Sequence, residues 1–125
     1  MIYGIGTDIV EIARIEQTNV DRLIRRILTE RERQYLPVPA QQRLQYVAGR
    51  FAAKEALSKA LGTGIGASFS FQDAEIIPNS KGKPEVQFSS TLLARFTEPD
   101  SLVVHLSISH TKQVAIAMVV LESCA

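Results

Sequence analysis

The chain of 125 residues has a single cysteine, Cys124, so no intrachain disulfide can form and no cysteine-rich zinc site can be built. That fits a reducing cytosol. Long apolar runs are missing as well. The longest, "VAIAMVVL" at 114–121, falls far short of the roughly 20 residues that span a bilayer. The N-terminal "MIYGIGTDIVEI" has no basic lead before an extended apolar stretch, so it does not read as a signal peptide. Net charge is only +1, which gives no reason to expect nucleic acid as a partner. Repeats, low-complexity tracts and a linker are absent too. The expectation is a cytoplasmic protein with no membrane partner, folded as one domain over 1–125.

Hydrophobic residues make up 46% of the chain, enough for a real core. Residues 2–10 read as a strand. Ile2, Gly4, Gly6, Asp8 and Val10 share one face, and Tyr3, Ile5, Thr7 and Ile9 the other. Glycines inside a strand mark close approach by another backbone or a ligand. An amphipathic helix is expected over 20–28. Thr29 with Glu32 forms a capping-box pattern for a second short helix. After "PVP", a long helix runs over 40–61 and stops at Gly62, a natural left-handed position. Residues 69–77 and 85–89 read as a hairpin around "NSKGKP", and Ser90 starts a short helix through Phe96. Two more strands, 102–109 and 113–122, meet at "SHTK"; the second is apolar on both faces, as a covered strand is. The class is α+β: a mostly antiparallel sheet packed against one long and several short helices.

The long helix carries an anomaly. At about 100° per residue, Leu44, Ala48, Phe51 and Glu55 fall on one stripe. A carboxylate there needs a partner or must be neutral. Lys59, four residues on, is one partner; that pair at a helix edge is the plain reading. Asp8, on the glycine face of the first strand, is another acidic group expected to face inward. Two carboxylates brought together call for a cation, and magnesium uses one or two carboxylates with substrate phosphates and water. A second strip, Tyr46, Ala53, Leu57 and Ala60, lies on the opposite side of the helix and hints at a subunit interface.

Arg50, Lys54 and Lys59 along this helix, followed by "GTGIG", are phosphate-binding candidates; a glycine-rich helix stop is the alternative. Ser109, His110 and Thr111 in "SISHT" stand at a strand end, where turn formation explains them equally. The basic residues are uneven: Arg14, Arg22, Arg25, Arg26, Arg31 and Arg33 crowd the first third.

Together these pieces resemble the holo-acyl-carrier-protein synthase family of small phosphopantetheinyl transferases. "IYGIGTDIVEIARIE" resembles its G-[IV]-x-D block, "GRFAAKEALSKALGTGIG" its F-x-x-K-E-[AS]-x-x-K block, and "SISHTKQVAIAMVVLE" its C-terminal strand pair. The middle block is the specific one, and the segment 67–100 adds little. The resemblance implies transfer of the 4'-phosphopantetheine arm of coenzyme A to a serine of apo-acyl carrier protein, with release of adenosine 3',5'-bisphosphate, in support of fatty acid biosynthesis. It further implies Mg²⁺ and a homotrimer with active sites between subunits. By the motif match, Asp8 and Glu55 hold the metal and Lys59 meets the pyrophosphate. Arg50 and His110 meet the nucleotide's phosphates, and Gly62, Gly64, Ser109 and Thr111 line the nucleotide pocket. Asp8, Glu55 and Lys59 are the catalytic set. The serine proton passes to Glu55 or to a metal-bound water. Arg14, Arg22, Arg25 and Arg26 are placed to dock the acidic carrier protein, a solvated helix face being the alternative. A metal-dependent phosphoesterase and a non-catalytic coenzyme A-binding trimer are the competing readings.

Overall fold

The computed structural model describes residues 1–95 and 101–124. In chain order the elements are β1 (Ile2–Glu11), α1 (Ile12–Glu16), α2 (Val20–Ile27), α3 (Glu30–Arg33), α4 (Ala40–Leu61), β2 (Ala74–Pro78), β3 (Pro84–Phe88), α5 (Ser90–Arg95), β4 (Ser101–His110) and β5 (Val114–Cys124). Two antiparallel sheets result: a three-stranded one in the order β1-β5-β4, and the β2-β3 hairpin. The α+β expectation is met. The extension of the last short helix to Phe96 lies outside the described residues.

The long helix follows its sequence signals closely. It ends where Gly62 takes a left-handed φ of 80° and its N–H reaches back to the Lys59 carbonyl. The capping box before α3 is also present, with Glu32 accepting from the Thr29 N–H and the Thr29 hydroxyl from the Glu32 N–H.

The glycine face of β1 lies against α4. A Cβ on Gly6 would fall on the Ala56 carbonyl oxygen and sit 3.0 Å from both the Ala56 carbonyl carbon and the Ala60 nitrogen. A Cβ on Gly4 would meet the Ala60 carbonyl in the same way. Small residues on the helix complete the fit: Ala48, Ala52, Ala53 and Ala56 have no exposure. The strand and helix backbones therefore touch, and Asp8, next on the same face, is carried to the helix surface.

Three expectations are corrected. The strand at 69–77 begins only at Ala74, because Phe71–Asp73 forms a 3₁₀ turn closed by Asp73 on the Ser70 N–H and hydroxyl. The second apolar strip of α4 is no subunit surface: Ala53, Leu57 and Ala60 are buried inside this chain. Ala60 lies against the glycine face of β1, and Lys54, on the same helix, is tied to α2, α3 and the 3₁₀ turn. β5 is covered on one face only. Ala115, Ala117, Val119 and Leu121 point to α4, while Ile116 and Met118 stand exposed beside Ile5, Ile9 and Val103 on the outer face.

Candidate active site

Lys59, on the last turn of α4, does not pair with Glu55. Its ammonium instead donates to the Asp8 carboxylate at 3.1 Å and to the Thr7 main-chain oxygen at 2.9 Å. The reach is set by the contact of β1 with α4, which no (i, i+4) rule can anticipate. The plain reading of Glu55 as half of a helical ion pair is thereby set aside. Its carboxylate makes no hydrogen bond or ion pair among the described residues.

Burial pushes the Glu55 carboxyl above the usual glutamate range, and the charge of Asp8 pushes the same way; Lys59 and Arg26 oppose them. The two acids thus sense each other directly. Both line one open cleft of about 1210 Å³ between β1, α1 and α4. Its floor is apolar, with Val10, Ile12, Ile15, Leu23, Leu44 and Phe51, and Arg14 stands on its wall. The stripe Leu44–Phe51–Glu55 read from the helical wheel is therefore one side of this cleft. Asp8, paired with Lys59, and Glu55, whose carboxylate has no bonded partner among the described residues, offer oxygens of the hard kind that suits Mg²⁺. Among the described residues no group of three or more His, Cys, Asp or Glu side chains competes as a metal site.

Lys54 does not belong with the phosphate candidates. It is fully buried and paired with Glu32 at 2.6 Å, and it also donates to the main-chain oxygens of Ile27 at 2.6 Å and Phe71 at 2.9 Å. Its role is to tie α2, α3 and the 3₁₀ turn to α4. Burial lowers its pKa, and Glu32 opposes that shift.

Arg50 and His110 do come together, but elsewhere. They line a second cleft of about 400 Å³ with Gln42, Gln45, Tyr46 and Ile108. Among the described residues the two clefts share no lining residue. The reason is helical: five residues of rotation, roughly 140° net, separate Arg50 from Glu55 on α4.

Ser109 is exposed on the outer sheet face, paired in register with Ile116. The Thr111 hydroxyl accepts from the N–H groups of Gln113 and Val114 at 3.1 and 3.2 Å, so it closes the β4–β5 turn. In "GTGIG" the N–H groups of Gly62, Thr63, Gly64 and Gly66 all donate to main-chain oxygens of the chain itself. That loop is a helix stop, and any contact it makes with a ligand does not use those four donors. Lys112 and Gln113, which also line the first cleft, were not singled out in the sequence; their place beside His110 and Thr111 was the one available signal.

Arg14, Arg22, Arg25 and Arg26 are exposed, and none forms an ion pair among the described residues. Arg26 lies over the Phe71 ring, 5.6 Å from its centroid. The cluster leaves a basic flank beside the first cleft.

A family model described as the 4'-phosphopantetheinyl transferase superfamily matches residues 4–119. A holo-[acyl-carrier-protein] synthase of Bacillus cytotoxicus is 52% identical over 126 residues, 98% of each chain. A crystal structure of a holo-(acyl-carrier-protein) synthase from Bacillus anthracis, in complex with CoA (3',5'-ADP), is similar with a TM-score of 0.86 and 48% identity, over 99% of both chains. The holo-[acyl-carrier-protein] synthase of Neisseria meningitidis is similar with a TM-score of 0.87 and 41% identity, over 98% of this chain and 99% of that one. Family match, sequence identity and backbone geometry agree over almost the whole length, and the chain belongs to the holo-[acyl-carrier-protein] synthase family of 4'-phosphopantetheinyl transferases.

Proposed function

We propose that residues 1–125 work in the cytoplasm as one Mg²⁺-dependent phosphopantetheinyl transferase domain. It moves the 4'-phosphopantetheine group of coenzyme A to a serine of apo-acyl carrier protein and supports fatty acid biosynthesis. The observation that carries this reading is the convergence of Asp8 and Glu55, from distant parts of the chain, on one cleft, with Lys59 paired to Asp8.

In the reaction the serine hydroxyl oxygen attacks the phosphorus that bears the pantetheine arm. The P–O bond to the adenylyl side breaks, and adenosine 3',5'-bisphosphate leaves. Asp8 and Glu55 are the residues that would hold Mg²⁺, and the ion would supply positive charge to offset that of the diphosphate oxygens. Lys59 adds a positive charge to the same oxygens. Glu55 and a water in the cleft are the two candidate acceptors of the serine proton. The apolar floor receives the pantetheine arm. Positioning and electrostatics suffice for such a transfer, so no covalent enzyme intermediate is needed.

Arg50 and His110 are read as ligands of the phosphate on the nucleotide's ribose. Because they face away from Glu55 within one chain, a coenzyme A molecule touching both sets needs two chains. A homotrimer supplies them, one chain giving Asp8, Glu55 and Lys59 and its neighbour Arg50 and His110. The exposed outer face of the sheet, with Ile5 68%, Ile9 63% and Met118 51% exposed, is the surface that fits such an assembly. Gly62, Gly64, Ser109 and Thr111 flank the nucleotide. Arg14, Arg22, Arg25 and Arg26 steer the acidic carrier protein toward the first cleft.

The test is intact-mass analysis of an apo-acyl carrier protein incubated with the enzyme, coenzyme A and Mg²⁺. A gain of one phosphopantetheine group, with coenzyme A left whole when the carrier is omitted, supports transfer. Coenzyme A breakdown without a carrier makes the protein a phosphoesterase instead.

A further inference from the structure

Tyr46 and Arg50 are four residues apart on α4, so their side chains occupy successive turns of one helix face. The Arg50 guanidinium carbon lies 4.4 Å from the centroid of the Tyr46 ring. The ring itself is anchored at its far end, where its hydroxyl donates to the Glu32 main-chain oxygen at 2.9 Å. Glu32 is fully buried and held by Lys54, so this anchor is rigid. Burial raises the Tyr46 pKa, with Arg50 opposing, and the hydroxyl stays protonated and able to donate.

Arg50 has another unusual feature. Its Nε is buried and has no hydrogen-bond partner, and among the described residues no carboxylate pairs with its charge. A guanidinium stacked by its face on an aromatic ring keeps its N–H edge free for an oxyanion. Ring, guanidinium and His110 line the same cleft of about 400 Å³. An arginine free to sample rotamers would lose that freedom at each binding event; one stacked on an anchored ring has lost it on folding.

We propose that Tyr46 is a positioning residue for coenzyme A, its anchored ring holding the Arg50 guanidinium with an N–H edge toward the phosphate monoester on the ribose. This rests on the reading of Arg50 and His110 given above. Tyr46 acts through Arg50 and touches no reacting atom. It therefore affects recognition of the ribose phosphate, and the transfer step is independent of it.

The experiment compares coenzyme A with 3'-dephospho-coenzyme A, using apo-carrier protein as acceptor, in wild type, Arg50→Ala, Tyr46→Phe, Tyr46→Leu and Tyr46→Met. Arg50→Ala is expected to lose the preference for the phosphorylated substrate. Tyr46→Leu and Tyr46→Met are expected to raise KM for coenzyme A by about fivefold, the scale of one cation–π contact, and to leave KM for the dephospho form unchanged. Tyr46→Phe, which keeps the ring, is expected to restore most of the preference. If Arg50→Ala keeps the wild-type preference, the assignment of Arg50 to the ribose phosphate fails. If Arg50→Ala loses it but the folded Leu or Met variant keeps it, the positioning role of Tyr46 is overturned. Equal losses on both substrates, or losses confined to kcat, overturn it as well, because a merely structural residue would act in that way.

Discussion

Replacing Gly6 with alanine tests whether the site is built on contact between two backbones. The added Cβ would fall on the Ala56 carbonyl oxygen and lie 3.0 Å from the Ala56 carbonyl carbon and the Ala60 nitrogen. Carbon contacts are comfortable at roughly 3.5–4.0 Å, so β1 has to retreat from α4 by about 1 Å. Neither wall can yield alone, since the strand is laddered to β5 and the clashing atoms are helix backbone. Overpacking of this kind costs about 1–3 kcal/mol. For a chain of this size each kcal/mol lowers Tm by roughly 3–6 °C, so a fall of about 5–15 °C is expected. The same retreat moves Asp8 away from Lys59, now 3.1 Å distant, and from Glu55. A displacement of about 1 Å in a catalytic group can cost on the order of 100-fold in rate. Thermal unfolding followed by circular dichroism, together with turnover of apo-carrier protein, reads both effects. A variant that melts within about 1 °C of wild type and turns over at the wild-type rate would refute the reasoning.

Three further outcomes follow from the same geometry. Lys54→Met leaves the Glu32 carboxylate buried without its cation and should cost about 3–5 kcal/mol, seen as a lower urea midpoint; a loss under about 1 kcal/mol would mean that the pair is not holding α2 and α3 to α4. Glu55→Gln should abolish turnover and yet give a Tm equal to or above wild type. The folded-state pKa of Glu55 is raised, so its ionisation at neutral pH disfavours the fold, and its own contribution to stability grows as pH falls through that raised value; a lower Tm in the variant contradicts this. Asp73 behaves oppositely. Burial acts to raise its pKa, but hydrogen bonds from Ser70 and Ser89 and the charge of Arg95 together hold it below the usual range. Its stabilisation is present above about pH 4 and is lost as pH falls through the depressed folded value. Asp73→Asn should therefore cost about 1 kcal/mol at pH 7, with the gap in Tm closing in acid; a gap independent of pH would contradict the assignment.

Local chemistry made much of the fold legible. The span of α4, the left-handed Gly62, the Thr29–Glu32 capping box and the hairpin depend on residues within a few positions of one another, where periodicity and capping rules operate. The glycine face of β1 was legible too, because Gly4 and Gly6 leave room that only a close neighbour can fill. What escaped was long-range. Lys54 sits on α4 between two residues read as site members, Arg50 and Lys59, and its buried partner Glu32 belongs to another helix. Lys59 reaches Asp8 across the molecule instead of Glu55 one turn away. The two apolar strips of α4 were visible, but not that the second, with Ala53, Leu57 and Ala60, is buried within the chain, while Ile5, Ile9, Ile116 and Met118 on the outer face of the sheet stand exposed.

The convergence of Asp8 and Glu55 on a single cation beside a diphosphate is open to direct measurement. Mg²⁺ is titrated calorimetrically into wild type, Asp8→Asn and Glu55→Gln, each with and without coenzyme A. The expected result is one cation per active site in wild type, bound tightly only when coenzyme A is present, and lost in both variants while they remain folded. Wild-type Mg²⁺ affinity in either variant, or binding that coenzyme A does not strengthen, would contradict it.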